Sequence, residues 1–168
     1  MSDSAALAVA RTATADFRAR LRTVVLGTAS PDGIPDASVA PTVLDATGAF
    51  VICISGLAAH TRHLRANPRA SVLLAADEAD MPQPFARRRL TFACTAQPVA
   101  RGTAEHAALF AALREKFGPT LEVLAALPDF DLVRLVPTAG RLVLGFGAAY
   151  DVAPLDWQTV TPLARPAR

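Results

Sequence analysis

Lysine is almost missing from this chain. Lys116 is the only one among 17 Lys+Arg residues, and against 15 Asp+Glu they leave a formal charge of +2. A Schiff-base centre would have to use that residue, which stands beside Glu115 on the polar side of an expected helix. With no basic block interleaved with aromatics, the charge gives a nucleic acid little to hold, and none is expected as a partner. The two cysteines, Cys53 and Cys94, lie in separate apolar runs, which excludes a disulfide framework and any Cys-x-x-Cys pair for zinc or redox work. Both are expected as buried free thiols. No apolar run reaches membrane-spanning length, so the mean hydropathy of +0.30 predicts a packed interior and no membrane partner. Phosphate loops of the Gly-x-x-x-x-Gly-Lys kind, the dinucleotide Gly-x-Gly-x-x-Gly and the Gly-x-Ser-x-Gly elbow are absent as well. Met1-Ser2-Asp3-Ser4 lacks the positive start of a secretory leader, and the expected compartment is the cytoplasm.

What is present is a compact β-rich pattern. A length of 168 residues with 52% hydrophobic content predicts one domain over 1–168. An N-terminal helix is expected through residue 21, with Leu7, Ala10, Thr14, Phe17 and Leu21 on one side. Strands follow at 23–29, 36–44 and 49–55, separated by the turns Ser30-Pro31-Asp32-Gly33 and Asp45-Ala46-Thr47-Gly48. A short helix over 57–66 stops at Asn67-Pro68. Further strands are predicted at 70–74 and 90–99, flanking a loop that is acidic at Asp77, Glu78 and Asp80 and basic at Arg87, Arg88 and Arg89. An amphipathic helix covers 105–117 and a shorter one 121–127. A strand over 130–136 then turns at Pro137-Thr138-Ala139-Gly140 into another over 141–146, and 152–168 reads as an extended Pro-rich tail. This spacing predicts a mainly β (α+β) fold, a six- to seven-stranded antiparallel split β-barrel with peripheral helices.

No self-sufficient catalytic set is visible, so a borrowed cofactor is the natural route to activity. The informative stretch runs from Ser55 to Ser71, where a strand ending in a hydroxyl meets a helix carrying His60, Thr61 and Arg62. Early helical N–H groups, hydroxyls and a guanidinium can cradle a phosphate. The same residues can equally form a capped helix with solvated arginines. His60 and His63 stand one helical turn apart and could face one ligand, but no third residue nearby completes a metal site, and none is expected.

The stretch Leu57-Ala58-Ala59-His60-Thr61-Arg62-His63-Leu64, followed by Asn67-Pro68-Arg69-Ala70-Ser71, resembles the signature of the haem iron utilisation family. That family sits within the pyridoxamine 5′-phosphate oxidase-like, FMN-binding split-barrel proteins. Pro35 to Pro41, Arg89-Leu90-Thr91, Asp129 to Leu135 and Gly145 to Tyr150 resemble its other motifs in the same order. The resemblance implies a homodimer with a flavin site at each end of the interface. On the matching positions it implies cofactor contacts from Ser38, Val39 and Ala40, from Ser55, His60, Thr61 and Arg62, and from Phe146, Gly147 and Tyr150. Arg89 would act from the facing subunit. The implied function is an FMN-dependent oxidoreductase of a small substrate, with no assigned catalytic residue beyond His60 or Tyr150 as acid or base. The alternatives are a haem-binding or haem-degrading utilisation protein and a non-catalytic flavin binder. Haem-degrading relatives ligate iron through a C-terminal histidine, whereas Asp151 to Arg168 contains none, which counts against a haem oxygenase role and leaves open only a different axial ligand such as His60.

Overall fold

The computed structural model describes residues 2–81, 83–125 and 127–163. Alternation of apolar and polar side chains sets the strands, and one long strand closes them into a barrel. The elements are α1 (Asp3–Ala19), β1 (Thr23–Ala29), β2 (Pro35–Leu44), β3 (Phe50–Ser55), α2 (Ala59–Ala66), β4 (Arg69–Ala75), β5 (Arg89–Pro98), α3 (Ala104–Phe117), α4 (Thr120–Ala125), β6 (Phe130–Gly145), β7 (Ala148–Val152) and β8 (Val160–Pro162). Their order in the sheet is β3-β2-β1-β4-β5-β6-β7-β8, and a second pairing of β3 with β6 closes the first six into an antiparallel barrel. The split-barrel expectation holds, with β7 and β8 added beyond it.

Inward-facing side chains of the six strands form the main core, among them Leu26, Phe50, Ile52, Val72, Phe92 and Leu135. A second cluster lies outside the barrel, where Leu109 and Leu113 of α3 and Leu121 of α4 cover Val43, Val51 and Leu132. The outer surface of β2 and β3 near their turn is thereby covered. The outward positions of β1 and the first half of β2 are not: Val39 is 63% exposed and its register partner Val25 is 38% exposed.

Three sequence expectations are corrected here. Pro137 to Gly140 is not a turn, because β6 runs through it for 16 residues. Cys94 of β5 faces Pro137 while Ala93 faces Ala139, so Thr138 is the extra residue of a β-bulge and its hydroxyl donates to the Ala93 carbonyl at 3.1 Å. A bulge suits proline, which has no N–H to give the ladder. Gly140 follows for a packing reason: a Cβ there would come within 2.7 Å of the Val152 carbonyl and 2.8 Å of the Phe92 ring. The second correction is the tail. Through Leu163 it is built into the barrel, with Trp157 fully buried and β8 paired to β7, and 164–168 lie outside the described residues. Both cysteines are free, but Cys53 is only half-buried. Burial pushes the Cys94 thiol up to about 12, which keeps it protonated. No helix among the described residues is long and apolar enough to cross a membrane.

Candidate functional site

Helix α2 crosses the end of the barrel where β3 finishes and β4 begins, and packs against β1 and β2. Leu64 and Thr61 form its buried side, with Leu64 joining the main core. This docking, more than intrinsic propensity, holds an eight-residue helix whose N-cap, Ala58, offers no side-chain bond. Thr61 donates its hydroxyl to the Ser55 carbonyl at 2.5 Å, which ties the first turn to the end of β3.

The two histidines are anchored on neighbouring strands. His60 Nδ1 lies 2.9 Å from the Ser38 hydroxyl, and His63 Nδ1 lies 3.0 Å from the Thr28 hydroxyl. Thr28 is paired with Asp36 and Ser38 with Leu26, so the two hydroxyls are diagonal neighbours and the rings stand side by side. Both rings are half-buried, and among the described residues neither Nε2 has a hydrogen-bond partner. Burial, and to a lesser degree the nearby His63, lowers the His60 pKa below its ordinary value against the opposing pull of Asp36. His60 is therefore neutral at pH 7.

The other members of the expected cradle have partners within the protein. Ser55 donates its hydroxyl to the Asp129 carboxylate at 2.8 Å and accepts the Leu57 N–H at 3.2 Å. Arg62 spends one N–H on the Leu57 carbonyl at 3.0 Å and is otherwise exposed, beside a Leu57 side chain that is 85% exposed. Arg65 pairs with Asp131 at 2.9 Å. Ala40 is buried in the core, and Val39 points outward on the opposite side of β2 from Ser38.

The remaining expected contacts stand elsewhere. Ser55 faces Phe130 at the first residue of β6, whereas Arg89 faces Val143 near its last. Phe146, 75% exposed, and Gly147, at φ +69°, form the β6–β7 turn at that far end. Tyr150 is a core residue opposite Leu142. One copy of the chain thus gathers Ser38, Ser55, His60, Thr61 and Arg62 at one end and Arg89, Phe146 and Gly147 at the other. Thr28 and Asp129 were missed as partners, because strand register, which no local motif signals, is what brings them to His63 and Ser55. Among the described residues no group of three metal-ligating side chains converges.

Comparison with known proteins fits this architecture. The family model described as pyridoxamine 5′-phosphate oxidase matches residues 10–144. The haem oxygenase HutZ of Vibrio cholerae is 41% identical over 141 residues, 84% of this chain and 80% of that protein. Its crystal structure, described as that of a haem storage protein, superimposes with a TM-score of 0.72 at 36% identity, covering 77% of this chain and 90% of that one. The chloroplastic non-canonical haem oxygenase HOZ of Arabidopsis thaliana is 30% identical over 71% of this chain, which spans only 35% of its length. A haem-binding protein of Mycobacterium smegmatis aligns with a TM-score of 0.73 at 29% identity, over 91% of this chain and 60% of that one. These relatives overturn the FMN-dependent oxidoreductase expected from the sequence, since the proteins matching most of the chain are named for haem. The order of strands, the ordered motifs and the matches together show that the chain belongs to the pyridoxamine 5′-phosphate oxidase family of split barrels, alongside its haem-utilisation members.

Proposed function

We propose that this protein binds haem at the α2 end of the barrel, with His60 as the iron ligand. One observation carries the reading. His60 is a neutral, half-buried imidazole whose Nδ1 is held by a hydroxyl while its Nε2 has no partner among the described residues. That is the arrangement of a metal-ligating histidine, in which the second nitrogen fixes ring angle and tautomer. The surroundings suit the rest of the group: Leu57 offers apolar contact, and the exposed Arg62 offers the N–H groups that carboxylates prefer. Bound haem would supply redox-active iron whose chemistry is set by its axial ligand and pocket. The chain's own part is to hold the ring: with Nε2 on iron, Nδ1 would carry the proton and donate it to the Ser38 hydroxyl, and burial disfavours the imidazolium that would lose the lone pair. His60→Ala is expected to weaken haem affinity about tenfold or more and to shift the Soret band. A His60→Ala protein with unchanged affinity and spectrum would remove the assignment.

The same reading includes a homodimer. Ala37, Val39, Val25, Gly27, Ser71 and Ala93 fall on adjacent outward register positions of β2, β1, β4 and β5, a flat patch of small side chains. Pairing two copies across this patch would carry the Arg89 and Phe146 end of one toward the α2 end of the other, which is how those residues would reach a shared ligand. Val39→Glu is expected to convert a dimer into a monomer in sedimentation velocity, through a charge buried without a partner. A monomeric wild-type protein would contradict the proposal.

A further inference from the structure

Among the described residues the three most exposed large apolar side chains are Leu57, Phe85 and Phe146, each at least 75% exposed. They are not scattered. Leu57 precedes α2, which leads into the start of β4, whereas Phe85 stands in the loop that leaves the end of β4. The strand is 7 residues long, which separates the two ends by about 23 Å. Loop 76–88 joins β4 to β5, and both strands carry the patch proposed for dimerisation, so the loop stands at the end of the patch opposite α2.

Both phenylalanines are displayed by ordered turns. Phe85 belongs to a 3₁₀ turn, Pro84–Ala86, in which its N–H donates to Gln83 Oε1 at 3.3 Å. Arg87 N–H donates to the Pro84 carbonyl at 3.1 Å and closes that turn. The Arg87 side chain then ties it to the neck of the loop, Nε donating to the Ala76 carbonyl and Nη1 to Glu78, each at 2.7 Å. Ala86 lies against the β6–β7 turn, since a Cβ on Gly145 would stand 3.6 Å from that of Ala86. Phe146 follows there, between Gly145 at φ +146° and Gly147 at φ +69°, backbone angles that glycine adopts freely. Among the described residues neither ring joins an apolar cluster. Two phenylalanine rings held in water by adjoining turns have the character of a contact surface.

We propose that Phe85, with Phe146 beside it, covers an apolar face of the haem held by His60 of the second copy, so that the macrocycle lies between these rings and the Leu57 of its own copy. The proposal rests on the haem reading and its homodimer. A phenyl ring gains burial and ring contact on a flat conjugated macrocycle without using charge. It therefore favours haem and metal-free protoporphyrin IX alike, whereas His60 favours only haem. Phe85→Ala is expected to weaken both ligands about tenfold, the loss of one buried ring. Melting temperature and the dimer should not change, because the ring supports nothing within its own copy. Unchanged affinity for both ligands, or a monomer in sedimentation velocity, would overturn the proposal. His60→Ala is expected to weaken haem alone, and unchanged haem affinity in that protein would remove the haem reading instead. Mixed dimers locate the ring. Refolding equal amounts of His60→Ala and Phe85→Ala proteins together makes about half of the dimers mixed, each with one intact site, so about a quarter of all sites regain wild-type haem affinity. No recovery would place Phe85 and His60 in the site of one copy, against the proposal.

Discussion

Replacing Trp157 with alanine is expected to cost about 3–5 kcal/mol of folding stability. The side chain is fully buried, and its ring lies 4.8 Å from Phe92 and 5.6 Å from Phe50, whose rings are themselves 5.5 Å apart. These three aromatics fill the barrel interior, so truncation leaves a large void among rigid neighbours. The Arg18 guanidinium lies 5.7 Å from the ring centroid and joins α1 to the same residue. Two features weaken the native contribution. Trp157 sits at φ +63°, and its indole N–H has no hydrogen-bond partner among the described residues. A buried orphan donor carries a desolvation cost of about 1–3 kcal/mol. Trp157→Phe, which keeps a ring and deletes the donor, is therefore expected to be far milder than alanine. Urea unfolding followed by circular dichroism measures both. Equal losses for phenylalanine and alanine would mean that ring packing is not what Trp157 supplies.

Trp157 also marks where sequence reading runs out. Residues 152–168 are Pro-rich with one aromatic, and nothing local says that a lone tryptophan turns back into a barrel formed by strands far earlier in the chain. The meander was legible for the opposite reason. Pro31-Asp32-Gly33 and Asp45 to Gly48 write their turns into adjacent residues, and β1 spans the 23–29 expected ahead of the first of them. Pro137 and Gly140 misled because a bulge uses the same residues as a turn, and only the facing strand distinguishes them. At the site, the His60–Thr61–Arg62 cluster was visible as a motif. What each side chain bonds to was not, since Ser38, Thr28 and Asp129 reach it through register and barrel closure. The sequence pointed to a phosphate because hydroxyls, helical N–H groups and a guanidinium suit one as readily as the haem carboxylate of the proposed function. Residue types alone do not separate the two.

Arg134 on β6 carries the second large effect, and its dependence on pH separates charge from packing. It donates to Asp45 Oδ2 and to Glu105 Oε1, each at 2.6 Å, linking the β2–β3 turn to α3. The Asp45 side chain is only 5% exposed and that of Glu105 is 56% exposed, so the two pairs are unequal. Arg134→Met leaves the Asp45 charge buried without its cation and is expected to cost about 3 kcal/mol at pH 7. Glu105→Gln, at the exposed side, is expected to cost less than about 1 kcal/mol. Burial alone would raise the Asp45 carboxyl. Hydrogen bonds from the Thr47 hydroxyl, Arg134 and the Ala49 and Thr47 N–H groups outweigh it and hold the group below its ordinary value. A carboxyl lowered on folding stabilises fully above its unfolded pKa of about 3.9, and that stability disappears as the pH falls through the lowered value. The wild type should therefore begin to lose its advantage over Arg134→Met as the pH drops below about 4, where Asp45 is protonated first in the unfolded chain, and lose the rest as the pH falls through the lowered value of the folded protein. Denaturant midpoints at neutral pH and near pH 3 measure the gap. A gap of the same size at both would assign the effect to the packing of the arginine stem, since only the charge-dependent part can vanish with the carboxylate.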